Sequence, residues 1–267
     1  MKNIAISLLL LSLVIGACDL EKVIEIELPP FEEQVSVECY IQPNQPFRLT
    51  LTKSVSYFET PQLALVNAAL VVISYNGRAD TLRNIPLSIN GKFYNYTSTR
   101  LAPATVGTVF NLYIRDSTGQ ELSATTTLLN LVKIDSLLVL WNKTDTAASV
   151  LTVLTDDPNR DNYYRRFFHR DTLDSRPESD AAFRDRITTN GKLTIGTGFN
   201  YKVGDTLIAT LYHINADYYD FLQSVDDARD ANNSPFQQPS AIKSNIKGGI
   251  GIFTTLNGYR DTIIIRR

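Results

Sequence analysis

A chain of 267 residues, 43% hydrophobic and 20% charged, has room for one large domain or two ordinary ones, and it lacks the low hydrophobicity and high net charge of a disordered protein. With 26 Lys and Arg against 28 Asp and Glu, a formal net charge of -2, it carries no basic field for general nucleic-acid binding and no acidic block for a cationic partner. Two Cys, two His and one Met argue against the usual thiol, zinc and haem sites. Residues 1–17 combine Lys2 with an apolar run from Ile4 to Ile15 broken by Ser7 and Ser12, the pattern of a secretory signal peptide. The run is shorter than the roughly 20 apolar residues that span hydrocarbon, and no later stretch reaches that length, so no transmembrane helix is expected.

Ile15, Gly16 and Ala17 precede Cys18, and together they resemble the lipobox of bacterial lipoproteins. The resemblance implies acylation of Cys18, cleavage before it, and a mature chain held on a membrane without entering it. Each buried methylene contributes about 0.8 kcal/mol, so two or three acyl chains anchor stably where one does not. Residues 18–30 then read as a lipidated tether, with Ile24, Ile26 and Leu28 alternating as an edge strand that Pro29 and Pro30 interrupt. Cys39 has no intrachain partner if Cys18 carries lipid. It alternates with Val35, Val37 and Ile41 on the apolar face of a strand, which makes it a core residue rather than a nucleophile.

Short strands are predicted at 35–41, 47–52, 69–75, 80–84, 92–97, 108–115 and 121–128, separated by the turn chemistry of 42–46, Asn76-Gly77, Asn90-Gly91 and Thr118-Gly119. So many short strands without a helical stretch predict a mainly β fold, with an immunoglobulin-like or fibronectin-like sandwich over 31–130. A second β-rich domain is predicted over 131–267, with strands at 133–141, 149–155, 163–170, 192–195, 206–214, 246–255 and 261–265. One helix is predicted near 216–229. There Tyr218, Phe221, Leu222 and Val225 fall at i, i+3, i+4 and i+7, Asn215 is placed to cap, and Asp217 sits in the first turn.

Known catalytic motifs do not occur: there is no nucleophile elbow, Walker loop, His-Glu-x-x-His or Cys-x-x-Cys. Gly248, Gly249 and Gly251 lie in a predicted strand, where a bulge or close backbone packing explains them better than phosphate binding. Asp157, Asn159 and Asp161 match the first three ligand positions of a calcium loop. The pattern then breaks at Asn162 and Phe168, so a polar turn is the preferred reading and a metal site the alternative. His169 and His213 have no neighbouring Cys or His and read as structural, and no cofactor is expected.

The segment 162–170 is the most informative. As a strand it puts Tyr163 and Arg165 on one face and Tyr164 and Arg166 on the other. These four are candidate ligand-binding residues, because a Tyr and Arg pair can stack on a sugar or hold a carboxylate, while a central strand with packed rings is the bland alternative. Seven Asp-Ser or Asp-Thr sites, at Thr81, Ser117, Ser136, Thr146, Thr172, Thr206 and Thr262, resemble the O-glycosylation acceptor of exported Bacteroidota proteins, against the simpler cause that Asp ends turns and β-branched residues begin strands.

Taken together, the segments from Ile26 to Glu33, Val37 to Gln42, Asn162 to Arg165 and Ser244 to Phe253 resemble a Bacteroidota outer-membrane lipoprotein family with a domain of unknown function. The resemblance implies an association with TonB-dependent transporters and supplies no catalytic residues. Asp19 and Glu21 beside the lipid resemble an acidic surface-export signal, with Lys22 departing from it, so the cell surface is favoured over the periplasmic face. The expected function is that of a non-catalytic lipoprotein capturing or gating a small-molecule or oligomeric nutrient for a transporter. A structural protein of the envelope is the alternative, with a surface hydrolase behind it.

Overall fold

Strand β1 (Val35–Ile41) buries Val35, Val37, Cys39 and Ile41 and turns Ser36, Glu38 and Tyr40 the other way, the period-two pattern that its sequence predicts. The computed structural model describes residues 31–56, 60, 62–185, 191–233 and 240–267, and Glu33–Arg267 form one compact unit. The predicted signal peptide at 1–17, the predicted lipidation site Cys18 and the predicted tether at 18–30 lie outside the described residues. Among the described residues no helix is long and apolar enough to cross a membrane.

Strands β2 (Pro46–Lys53), β3 (Ala64–Leu65), β4 (Ala69–Tyr75), β5 (Arg78–Ile89), β6 (Lys92–Leu101), β7 (Val109–Asp116) and β8 (Glu121–Thr127) follow in antiparallel pairings. Asn76 (φ 46°) with Gly77 (φ 71°), and Asn90 (φ 49°) with Gly91 (φ 75°), are the two-residue left-handed turns that match strand twist and fix hairpin register. The long β5 pairs with β4 through Leu82 and with β6 from Arg83 to Ile89, slipping register between Asn84 and Leu87, so one strand serves both walls of the first β layer. The rings of Phe47, Tyr75 and Phe110 meet at 5.5 to 6.1 Å between those walls.

Strands β9 (Ser136–Trp141), β10 (Ala148–Thr155) and β13 (Lys192–Ile195) form a three-stranded sheet, in the order β13-β10-β9. Strands β11 (Tyr163–Arg170), β12 (Ser179–Arg184), β14 (Thr206–Ile214) and β16 (Asn257–Ile264) form a four-stranded one, in the order β12-β11-β14-β16. A second core that includes Val150, Leu154, Phe168, Leu207 and Leu211 joins the two sheets. The helix α1 (Ala216–Asn233) begins at the predicted place and runs one turn further. Asn215 stands at its start, but its side-chain amide donates to Thr126 Oγ1, Thr127 O and Thr255 Oγ1. It therefore ties the helix to neighbouring strands as well as opening it.

The fold is mainly β, as the turn spacing predicts. The first sheet is completed from the far end of the chain. Strand β15 (Ile250–Thr255) pairs parallel with β1, Ser36 facing Ile250 through to Ile41 facing Thr255. Just before it, Ser123 and Lys247 exchange both backbone hydrogen bonds, at 3.1 and 2.8 Å, so β8 and the approach to β15 meet. The sheet order β15-β1-β2-β6-β5-β4-β7-β8 thus returns on itself, and the β-rich stretch 31–130 shares its layer with residues from the end of the sequence.

The glycines of 248–251 are where backbones crowd. A Cβ on Gly248 would overlap the Glu121 carbonyl oxygen, one on Gly249 would lie 2.6 Å from the Val35 carbonyl oxygen, and one on Gly251 would overlap the Val37 carbonyl oxygen. Close packing, and not an anion loop, accounts for them.

Candidate ligand-binding cleft

Alternation along β11 divides the four residues singled out in the sequence. Tyr164 and Arg166 take the interior face and are fully buried. The Tyr164 hydroxyl donates to Asp156 Oδ1 at 2.6 Å, and burial raises its pKa. Arg166 lies between the two sheets, donating to Ile195 O at 2.7 Å and Gly196 O at 3.2 Å with its guanidinium 4.8 Å from the Phe168 ring centre. With no carboxylate partner among the described residues, burial lowers its pKa to about 10. These two side chains belong to the core, the bland alternative for a central strand.

Tyr163 and Arg165 take the face toward α1. Tyr163 packs against Tyr219 with ring centres 5.0 Å apart. Arg165 alone of the four lines a cleft of about 700 Å³ between the outer face of β1 and β6 and the helix side of β11, β12 and β14. Its guanidinium grips Asp180 with both oxygens, Nε to Oδ1 at 2.9 Å and Nη2 to Oδ2 at 2.6 Å, while Nη1 donates to the Tyr218 hydroxyl. It also lies 4.6 Å from the Phe167 ring centre. Burial opposes its charge, but Asp180 and Tyr218 outweigh burial and raise its pKa. Arg165 is therefore a fixed cation that orients the wall.

The opposite wall comes from the first sheet. Lys92 Nζ stands 3.8 Å over the Tyr40 ring and donates to Glu38 Oε2 at 3.2 Å. Burial lowers its pKa, with Glu38 pulling the other way. Tyr40 meets Tyr218 edge-on at 5.6 Å, which joins β1 to α1 across the floor. Burial pushes the Tyr218 phenol up to about 12, against the pull of Arg165, and raises Tyr40 as well, so both hydroxyls are neutral hydrogen-bond donors at pH 7. The chemistry on offer is apolar ring surface, hydroxyls and cations locked in place. Arg165 was visible in the sequence as part of an aromatic and basic strand. Tyr40, Lys92, Tyr94 and Tyr218 carried only weak signals: a large aromatic on the polar face of β1, two residues just past the Asn90-Gly91 turn, and one at the first turn of the helix.

A second cavity of about 670 Å³ lies beside the calcium-like residues and includes Asp156, Asp157, Asp161, Asn162, Tyr164 and His213. Asp157 Oδ1 accepts from the backbone N and side-chain Nδ2 of Asn159, both at 3.1 Å, and these bonds to Asn159 lower its pKa. Asp157 and Asn159 thus spend their polar atoms on a local turn, the preferred sequence reading. Among the described residues no group of three or more His, Cys, Asp and Glu side chains is placed to hold a metal ion.

His213 stacks on Tyr164 at 5.4 Å, and its Nδ1 pairs with Asn130 O at 3.2 Å. Burial lowers its pKa from 6.5, partly offset by that hydrogen bond. A histidine whose folded pKa is depressed binds its proton more readily in the unfolded chain, so its contribution is complete above pH 6.5 and is lost as pH falls below it. Denaturant midpoints of the wild type should fall between pH 7 and pH 5 by more than those of His213→Gln; equal slopes would remove His213 from the acid response.

Of the seven Asp-Ser and Asp-Thr sites, Thr81, Ser117, Thr146, Thr172 and Thr262 are exposed, whereas Ser136 and Thr206 begin strands and are half-buried. Cys39 is wholly buried, and burial pushes its thiol up to about 12, as suits a core residue.

The sequence from 21 to 261 matches a domain of unknown function, DUF4249. The chain belongs to that family. No curated protein matches it. Among solved structures, a chain of a cytokine receptor complex is similar at 12% identity, covering 69% of this chain and 87% of that one, with a TM-score of 0.28. That likeness carries no argument about the cleft. Family membership spans both walls of the cleft, since β1, β6, β11, β12, β14 and α1 all fall within the matched residues.

Proposed function

We propose that this DUF4249 chain is a non-catalytic lipoprotein, anchored in the outer membrane by acyl chains on Cys18 and facing the cell surface, that captures substrate for a TonB-dependent transporter. The observation that carries the capture step is the cleft of Tyr40, Lys92, Arg165 and Tyr218. Its cations are held by Glu38 and Asp180 and its phenols stay protonated at pH 7, which suits recognition better than proton transfer. The lipobox resemblance at Ile15 to Cys18 supports the anchor, and the two or three acyl chains it implies are enough to hold the protein on a bilayer.

The test is a pull-down from detergent-solubilised envelope through a tag on the carboxyl end. The expected result is co-purification of a TonB-dependent transporter with the wild type and its loss when Cys18→Ser removes the anchor. Repeated recovery of the tagged lipoprotein without any transporter would sink the reading.

A further inference from the structure

Within the cleft, most charges are already answered. Arg165 is held by Asp180, Lys92 by Glu38, and Arg229 pairs with Asp226 at 3.3 Å. Arg176 is the exception. It lines the cleft from the loop before β12, is exposed, and has no acidic partner among the described residues. Its acidic neighbours do not reach it: Glu178 is taken by Arg170, Nε to Oε1 at 2.7 Å and Nη2 to Oε2 at 3.0 Å. One ring is open in the same way. Tyr40, Phe167, Tyr212 and Tyr218 each meet another ring, whereas Tyr94 meets none among the described residues, with Lys92 Nζ 6.0 Å from its centre.

A free guanidinium, an open phenol ring and the remaining N–H groups of Lys92 define a ligand with a carboxylate, a flat weakly polar face and several oxygens. A carboxylate meets Arg through two parallel hydrogen bonds. The C–H face of a pyranose lies against an aromatic ring, and its hydroxyls take hydrogen bonds from the Lys92 ammonium, which gives one of its three N–H groups to Glu38. A neutral apolar compound would offer Arg176 no acceptor. A volume of about 700 Å³ lies within the range of about 300–1,000 Å³ usual for small-ligand sites.

We infer that the cleft binds an acidic saccharide, a short uronic-acid oligomer, with a carboxylate on Arg176 and a sugar ring on Tyr94. The inference rests on the capture reading and narrows it to one ligand class. Arg176 and Tyr94 are chosen as probes because neither supports the core: Arg176 is exposed and Tyr94 is half-buried on the outer face of β6.

The experiment is calorimetric titration of the full chain in detergent micelles with trigalacturonic acid, its methyl ester and triglutamate. The acid should bind at least about tenfold more tightly than the ester, the ratio expected for one charge-assisted bidentate contact. Arg176→Gln should erase that ratio, and Tyr94→Ala should weaken acid and ester alike. Equal binding of acid and ester, an acid preference that survives Arg176→Gln, tighter binding of triglutamate, or no binding of the trisaccharide would each overturn the inference. All four leave the transporter pull-down untouched, so failure of the ligand class and failure of the capture reading are separately visible.

Discussion

Replacing Gly251 with Ala should destabilise the protein more than the same change at any other described glycine. The residue sits at φ 114°, where an L side chain is strained, and its new Cβ would overlap the Val37 carbonyl oxygen of the parallel neighbour. Strain of about 1–2 kcal/mol and overpacking of about 1–3 kcal/mol together put the loss near 3 kcal/mol or above. Backbone meets backbone here, so no flexible side chain can swing aside. Gly77→Ala supplies the control. Gly77 also has a positive φ, 71°, but nothing lies within 4 Å of its Cβ position, so strain alone acts and the loss should stay near 1 kcal/mol. Urea midpoints at unchanged slope measure both. Equal losses at the two positions would mean that β15 does not lie against β1.

Asn95 should be the least replaceable polar residue of the first sheet. It is wholly buried in β6, and its Oδ1 accepts from Leu51 N at 2.8 Å while Nδ2 donates to Leu51 O at 2.9 Å and Val66 O at 3.1 Å. Regular pairing of β2 with β6 reaches Leu49 opposite Tyr96, and the Asn95 side chain then acts as the strand partner of Leu51. Asn95→Leu fills the same volume but strands the Leu51 N–H and the Val66 carbonyl, while Leu51 O keeps Val66 N at 3.1 Å; at about 1–3 kcal/mol each, the expected loss is about 4 kcal/mol. Asn95→Asp keeps the acceptor and turns the donor into a buried charge facing two carbonyls. Its carboxyl pKa must rise on folding, so its stability deficit should shrink as pH falls toward about 4, where the protonated acid can donate again. A leucine variant within 1 kcal/mol of wild type, by the linear extrapolation of about 10–15% accuracy, would refute the assignment.

How far the sequence reveals this fold depends on how local each feature is. The Asn76-Gly77 and Asn90-Gly91 turns are legible because only such residues accept a left-handed backbone, and α1 is legible because Tyr218, Phe221 and Leu222 recur at helical spacing. The alternation of 163–170 placed each side chain of β11 on its face, yet it left open which face would be interior. Strand β12, Ser179–Arg184, has the sequence SDAAFR, with little β-branched content, and it owes its existence to pairing with β11. The parallel partnership of β1 and β15 leaves no local mark at all, because it depends on two apolar strands finding each other across the length of the chain. The cleft shows the same division. Arg165 stands out locally, but Tyr40, Lys92 and Arg176 become a site only when three separate elements are brought together.

The late arrival of β15 also sets a clock. Strand β1 is synthesised long before its second neighbour, so one edge of β1 stays open until β15 has been made. Pairings of such long sequence separation are slow to form because loop closure must precede any gain in contacts. A chain built this way finishes its first sheet only once residues 250–255 are present, so a fragment that stops short of them would leave that edge of β1 unpaired.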